Sequence, residues 1–222
     1  MTGFLLSIIL INAPHIEVSE RSYDFGYCLE GESYRHTFWI YNTGDEPLNL
    51  GKVRTFCGCS ATNLEKTKLN PGDSTSFDFT YDTRGFFGNC VKWAYIPSNA
   101  LNDSLLMFNV TVKLFGGYDL IPFEVDPEYL LFEKAGTPPS EIVLKLKNTS
   151  ETTYNLNLLE VPEVLGEVEL SKPVISAGEE IVIKLHPLPG FPDSTMYKTS
   201  MNFEAWIPTE VIRFSVPIHL RR

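Results

Sequence analysis

The chain carries one sequence pattern twice, at a fixed spacing. The segment FWIYNTGDEPL in the first half has the counterpart LKLKNTSETTY in the second half, and the strand-like FDFTY has the counterpart IVIKL. Asn148 follows Asn42 by 106 residues, and Gly178 follows the turn glycine Gly72 by the same 106 residues. A constant offset over separate segments predicts two copies of one folding module, a tandem repeat.

Composition agrees with two ordinary domains. Half of the 222 residues is close to the common domain size, and a content of 43% hydrophobic and 21% charged residues allows each half a core. We predict domains at residues 14–117 and 118–222. The formal net charge is -10, and Lys and Arg are scattered along the chain. This pattern argues against a nucleic-acid partner and against binding to an anionic membrane surface.

The N-terminus carries a compact apolar run, FLLSIILI, at residues 4–11. Its length is typical of the apolar part of a signal peptide and too short to span a bilayer. We therefore predict that residues 1–13 are a signal peptide and that the protein is periplasmic or extracellular. No Lys or Arg precedes the run and Pro14 follows Ala13, so a buried first strand is the alternative. No later segment is long or apolar enough to be a transmembrane helix.

Both halves consist of short alternating segments that are broken by Gly, Pro, Asn and Asp, which indicates antiparallel strands and tight turns. No segment has the pattern of an amphipathic helix. Seven strands in about 100 residues predict an immunoglobulin-like sandwich. The predicted fold is all-β, with two tandem immunoglobulin-like antiparallel β-sandwich domains and a connector from Gly116 to Pro127. We expect strands near 22–29, 34–42, 48–57, 62–68, 74–81, 89–97 and 105–115, and then near 129–133, 141–148, 154–161, 167–171, 179–186, 197–207 and 210–220.

Two pairs of aromatic residues are candidates for a partner-binding surface. Trp39 and Tyr41 align with two lysines of the second copy, whereas the alternate positions are apolar in both copies. We therefore expect these two side chains to point outward. Trp93 and Tyr95 form the second candidate pair. The functional interpretation is a protein-binding face, and the alternative is burial against the connector or the second module.

The first half resembles a known family over about residues 22–115. The segments that carry the resemblance are YDFGYCLEGE, HTFWIYNTGDEPL, FCGCSAT, LNPGDS and FDFTYDTRGFFG. It is similar to the bacterial Cys-Gly-Cys family of unknown function, exported immunoglobulin-like modules related to the ASPM and hydin type. The second half resembles only the wider superfamily. The resemblance implies a sandwich fold and export to the periplasm or cell surface, and it implies no established reaction.

All four cysteines lie in the first copy: Cys28, Cys57, Cys59 and Cys90. In an immunoglobulin-like sandwich the end of the third strand lies beside the start of the sixth, so the four thiols are expected at one pole. Three chemistries compete there: structural disulfides, a soft-metal site for copper(I) or zinc, and thiol redox chemistry. Free buried thiols are a fourth possibility. An even cysteine count in an exported chain favours disulfides.

No catalytic motif is present, and the four histidines are dispersed. His36, on the core-facing side of a strand, is expected to be structural. We predict a protein that is not an enzyme and has no cofactor: an exported protein-binding or scaffolding module of the bacterial cell envelope. Its partner is expected to use the Trp39 and Tyr41 face or the edge of the terminal strand 105–115. A soft-metal or thiol-redox protein is the alternative, and a structural spacer is a third possibility.

Overall fold

A computed structural model describes residues 12–55, 59–61, 63–133, 140–188 and 196–221. The strands of the first module are β1 (Ile16–Val18), β2 (Ser22–Tyr27), β3 (Ser33–Asn42), β4 (Leu48–Asn49), β5 (Arg54–Thr55), β6 (Cys59–Ala61), β7 (Lys68–Leu69), β8 (Ser74–Asp82), β9 (Gly88–Pro97) and β10 (Leu105–Leu114). The strands of the second module are β11 (Phe123–Asp126), β12 (Leu130–Glu133), β13 (Ile142–Asn148), β14 (Tyr154–Glu160), β15 (Glu167–Leu170), β16 (Val174–Ile175), β17 (Glu180–His186), β18 (Met196–Ile207) and β19 (Glu210–Arg221). Short 3-10 helical turns lie at Gly117–Leu120 and Glu163–Leu165.

Each module is a sandwich of two sheets. In the first module, the sheet β1-β3-β8-β6 faces the strands β2-β10-β9-β5. In the second, β11-β13-β17-β15 faces β16-β14-β18-β19, with β12 beside β19. The predicted all-β fold of two immunoglobulin-like sandwiches is confirmed. The pairings are antiparallel except for β2 with β10, β12 with β19 and the contact between β19 and β2.

The repeat is also a repeat of strand register. Leu48 pairs with Leu69 between β4 and β7, and Tyr154 pairs with Ile175 between β14 and β16. Both residues of the second pair lie 106 positions after their counterparts in the first. The sequence offset therefore predicted equivalent strand pairs correctly.

A buried asparagine explains why the Asn-Thr pair recurs. The amide nitrogen of Asn42, Nδ2, donates to the carbonyl four residues on (2.9 Å) and to that of Leu69 (3.0 Å). The amide of Asn148 donates to the carbonyl four residues on (2.6 Å) and to that of Ile175 (3.3 Å). Each Oδ1 also accepts a backbone N–H two residues on. The side chain thus holds its own turn and a second chain segment in both modules.

Each module has its own apolar core, built from the inward residues of the alternating strands. In the first, Phe38 packs against Phe77 and Phe108 with ring centroids 5.5 and 5.0 Å apart. In the second, Phe203 stacks on Phe214 at 4.9 Å. Full burial of one such ring stabilises the fold by roughly 1.5–3 kcal/mol.

The predicted strand bounds fail between residues 48 and 68. The expected strand 48–57 is interrupted, because β4 pairs with β7 whereas β5 pairs with β9 in a different sheet. The expected strand 62–68 is replaced by β6, which pairs with β8. The chain therefore crosses from one sheet of the sandwich to the other between Thr55 and Cys59. The short strands β1 and β11 were not predicted, because three or four residues carry too little alternation to read.

The two modules join through one continuous sheet. Tyr27 of β2 pairs with Phe214 of β19, and Tyr27 and Leu29 pack against the core of the second module. The connector is packed as well: Tyr118 is buried in that core, and its hydroxyl donates to the carbonyl of Ser215 at 2.7 Å. The sequence predicted a connector here and did not predict its burial.

Candidate functional sites

The first candidate pair lies on the outer face of the sheet that contains β3. Trp39 and Tyr41 are 42% and 38% exposed, whereas the alternate residues Phe38 and Ile40 are fully buried. The predicted outward orientation is confirmed. At the equivalent place in the second module, the exposed Lys145 lies near a glutamate of the adjacent strand at 3.7 Å. The outer face is thus aromatic in the first module and ion-paired in the second.

Trp39 stands in a cleft between the modules with a volume of about 640 Å³. The outer face of β3 and β8 forms one wall, and the segment after β14, with Val161 and Pro162, forms the other. Leu188, which is 51% exposed, adds a further apolar side chain. Trp39 faces this cleft and remains 42% exposed. The second module therefore does not bury it, unlike in the alternative interpretation of the sequence.

The cleft is acidic. One cationic side chain, Arg35, and four carboxylates line it within the described part of the chain. Arg35 is ion-paired with Asp78, which also accepts a hydrogen bond from Thr37 Oγ1 at 2.7 Å. The other carboxylates belong to Glu65, Glu160 and Glu163.

Glu160 connects the cleft to a buried network that crosses between the modules. His36 lies within hydrogen-bond reach of Glu160 Oε2 (2.7 Å) and Glu20 Oε1 (3.1 Å), and its ring stacks on Tyr23 at 3.7 Å. Asn202 Nδ2 donates to the Tyr23 hydroxyl at 2.8 Å and to Glu160 at 3.1 Å. Burial, with Glu160 close by, raises the pKa of Tyr23 far above its ordinary value, so its hydroxyl stays neutral. His36 is a hydrogen-bonded structural residue, as predicted.

The second candidate pair lies on the opposite outer face of the first module. Trp93 is 39% exposed and Tyr95 is partly exposed, whereas the alternate residues Ala94 and Ile96 are fully buried. Because β9 belongs to the other sheet, the two aromatic pairs form separate surfaces. The exposed Val91, Leu105 and Met107 extend this second surface, which we call the β9/β10 face: Val91, Trp93, Tyr95, Leu105 and Met107.

The part of the β9/β10 face around Trp93 has a covered equivalent in the second module, whereas Val211, the equivalent of Leu105, is 58% exposed. Trp93 pairs with Asn109, and Asn202 pairs with Ser215, which lies 106 residues after Asn109. Asn202 is 1% exposed and Ser215 is fully buried. The first module covers both residues. Its Tyr23 hydroxyl accepts a hydrogen bond from Asn202, and the main-chain carbonyl of Phe25 in β2 accepts one from Ser215 Oγ at 2.7 Å.

The predicted open edge of the terminal strand is largely closed. β10 lies between β9 and β2, and its pairing with β2 begins at Asn109. In the described residues, positions 105–108 of β10 have no strand on the side of β2. The rest of this edge is closed because β2 adds to the sheet in parallel.

The cysteine prediction lies partly outside the described residues, because Cys57 is not described and neither is the side chain of Cys59. The backbone of Cys59 pairs with Tyr81 of β8, so it belongs to the opposite sheet and does not continue beside β9 as expected. Cys28 is buried and Cys90 partly buried, and both are free thiols. The N–H of Cys28 donates to Lys113 on β10, and Cys90 pairs with the neighbouring Val112 from β9. Two strand spacings, about 10 Å, separate these two cysteines, too far for a disulfide.

The described residues contain no group of three or more His, Cys, Asp or Glu side chains placed to hold a metal ion. Because the thiols of Cys57 and Cys59 are not among them, the soft-metal prediction for Cys57, Cys59, Cys90 and Cys28 remains a prediction. The apolar run at residues 4–11 also lies outside the described ranges. Within those ranges no helix has the length and apolar character needed to cross a membrane.

Sequence reasoning missed the residues that connect the modules. Glu160, Tyr23 and Asn202 are separated by large stretches of chain, and each is an ordinary residue in its own strand. No spacing or motif distinguishes them. A signal existed only for His36, which is a polar residue at a core-facing position of an alternating strand.

The fold and the surfaces define a protein made of two immunoglobulin-like β-sandwich modules with an acidic aromatic cleft and an exposed apolar face. Residues 16–112 match the model of a family described as "Protein of unknown function (DUF1573)". No curated protein matches the chain.

The chain is also similar to solved structures at low identity. One is a protein of unknown function from Porphyromonas gingivalis, with 10% identity and a TM-score of 0.36, covering 93% of this chain and 99% of that one. Another is the PapD-like domain 7 of human CEP192, with 10% identity and a TM-score of 0.37, covering 51% and 94%. A third is the E. coli chaperone DraB, with 15% identity and a TM-score of 0.33, covering 91% and 96%. Likenesses at this level say nothing about function.

Proposed function

We propose that the protein is a non-catalytic binding module of the bacterial cell envelope and that a protein partner docks on the β9/β10 face. One observation carries the proposal: the second module buries the position equivalent to Trp93 against the first module, whereas the first module leaves Trp93 exposed. The exposed position also has the more apolar residue. Trp93 stands where the second module has the polar Asn202.

The exposed fractions support this interpretation. Val91, Leu105 and Met107 are 49%, 47% and 43% exposed, and with Trp93 they lie on adjacent strands of one sheet. Contiguous exposed apolar residues with a polar rim mark protein-interaction sites. The open edge at residues 105–108 adds main-chain groups that a partner strand can pair with. Export to the periplasm or the cell surface belongs to the same proposal and rests on the apolar run at residues 4–11.

The test is site-specific photocrosslinking in an envelope extract, with benzoylphenylalanine at position 93 and, as a control, at position 206. Trp206 is similarly exposed (41%) but lies in the second module. We expect one defined adduct from position 93 and none of the same mass from position 206. The double variant Trp93→Ser and Met107→Ser should abolish partner capture without lowering the thermal midpoint. Capture that persists in this variant would rule out the face.

The cysteine alternative remains a second proposal, supported by the partly exposed Cys90 thiol at the pole where Cys28 also lies. Its test is intact mass after alkylation in urea, with and without prior reduction, together with a native spectrum after incubation with copper(I) or zinc. Two or more reactive thiols and a surviving metal adduct would establish a metal or redox site. Complete protection before reduction, with no adduct, would establish structural disulfides.

A further inference from the structure

The cleft around Trp39 has the size of a ligand-binding site. Its volume of about 640 Å³ falls within the size of ligand-binding clefts, roughly 300–1,000 Å³. It is open toward solvent and long enough to involve β3, β8 and the segment after β14. These dimensions suit a short extended segment of polypeptide.

The charges in the cleft are unbalanced. Arg35, its one cation in the described residues, is already ion-paired with Asp78. The carboxylate of Glu160 is held by His36 and Asn202. Glu65 and Glu163 are both exposed, and no ion pair with another described residue engages either of them.

The walls add an aromatic and an apolar component. Trp39 presents 42% of its surface, and no cation of the described residues lies over its ring. A Lys or Arg side chain placed over an indole face gains about 0.5–2 kcal/mol. Val161, Pro162 and Leu188 offer apolar contacts on the opposite side of the cleft.

We propose that this cleft binds a cationic extended segment of another protein, with a Lys or Arg side chain on Trp39, further cations near Glu65 and Glu163, and apolar side chains against Val161 and Leu188. The site is separate from the β9/β10 face and goes beyond the proposed function. Charge complementarity carries the assignment: an acidic segment would meet four carboxylates, and a purely apolar one would leave them desolvated.

The experiment uses the full chain and three capped pentapeptides in which Val alternates with Lys, with Glu or with Ser. Isothermal titration calorimetry at low and high salt measures binding. We expect the Lys peptide to bind, more weakly at high salt, and the Glu and Ser peptides to give no measurable heat. Absence of binding by the Lys peptide, or equal binding by the Ser peptide, would overturn the proposal.

Variants locate the site. Trp39→Ser should weaken binding of the Lys peptide about tenfold, equivalent to about 1.4 kcal/mol, whereas Trp39→Phe should retain most of it. The double variant Glu65→Gln and Glu163→Gln should reduce the salt dependence. Trp93→Ser is the matched control, because this tryptophan has similar exposure on the opposite face, and it should bind like the unmodified protein. Unchanged affinity in Trp39→Ser would also overturn the proposal, whatever the crosslinking at position 93 shows.

Discussion

At the scale of single residues, Gly26 shows how closely the two modules approach each other. Its φ is +68°, and a Cβ built on it would lie 1.9 Å from the main-chain oxygen of Arg213 in the second module. Both conditions require glycine, one for backbone conformation and one for space. Gly31 has a comparable φ of +80° but nothing within 4 Å of the Cβ position.

We expect Gly26→Ala to destabilise the protein far more than Gly31→Ala. Both variants incur the left-handed backbone cost of about 1–2 kcal/mol, and only Gly26→Ala adds an overlap with backbone worth roughly 1–3 kcal/mol more. Urea denaturation of both variants measures the difference. Equal losses would show that the modules do not approach at this point.

Cys28 is buried, and burial, with Asp24 nearby, raises the pKa of its thiol well above the ordinary value. The thiolate is the reactive form, so Cys28 should resist alkylation in the native protein. After native reduction and treatment with iodoacetamide at mildly alkaline pH, peptide mapping should find Cys90 modified and Cys28 unmodified. Unfolding in urea should remove the protection. Similar native rates at both positions would contradict the buried placement of Cys28.

At the scale of secondary-structure elements, Asn42 and Asn148 fix the ends of β3 and β13. Each amide group donates to at least two carbonyls and accepts a backbone N–H, and each side chain is buried. An aspartate has the same shape but no donor, so it would turn a buried carboxylate toward carbonyl oxygens.

We expect Asn148→Asp to reduce the free energy of unfolding by about 2–4 kcal/mol, because two donors are lost and a charge is buried. The loss should shrink as the pH falls and the introduced carboxylate becomes protonated. Asn157→Asp, at an exposed position of β14, is the control and should change stability by less than about 0.5 kcal/mol. A similar loss in both variants would mean that the Asn148 side chain does not hold the turn.

At the scale of the whole molecule, the two modules share more than a connector. Glu32 of the first module pairs with Lys198 (3.3 Å) and with His219 of the second, and Tyr27 reaches the second core. The His36 and Glu160 contact adds a further link. These contacts make the stability of each module depend on the other.

We therefore expect one cooperative unfolding transition by differential scanning calorimetry. The double variant Glu32→Ala and Glu160→Ala should lower the midpoint and separate the transition into two. Glu124→Ala with Glu180→Ala is the matched control, since these carboxylates pair with lysines on an exposed sheet face and should leave one transition. Two transitions in the unmodified protein would show that the modules fold independently.

Much of the fold was predictable because it depends on local periodicity. Alternation placed Phe38 inside and Trp39 outside, and the constant offset of 106 residues identified equivalent strands in both modules. The failures have a common cause. The crossing between Thr55 and Cys59 and the parallel addition of β2 depend on which sheet a strand joins, and alternation is the same in either sheet.

Side-chain alternation and turn residues act within a few positions of the chain, so the two β-sandwiches and the core-facing side of most long strands follow from the sequence. The contact of Glu160 with His36, the hydrogen bond of Asn202 to Tyr23, and the placement of Trp39 in a cleft and of Trp93 toward solvent follow only from the three-dimensional fold. These outcomes depend on how two folded modules dock. That docking is the sum of many contacts between residues far apart in the chain, and no short segment encodes it.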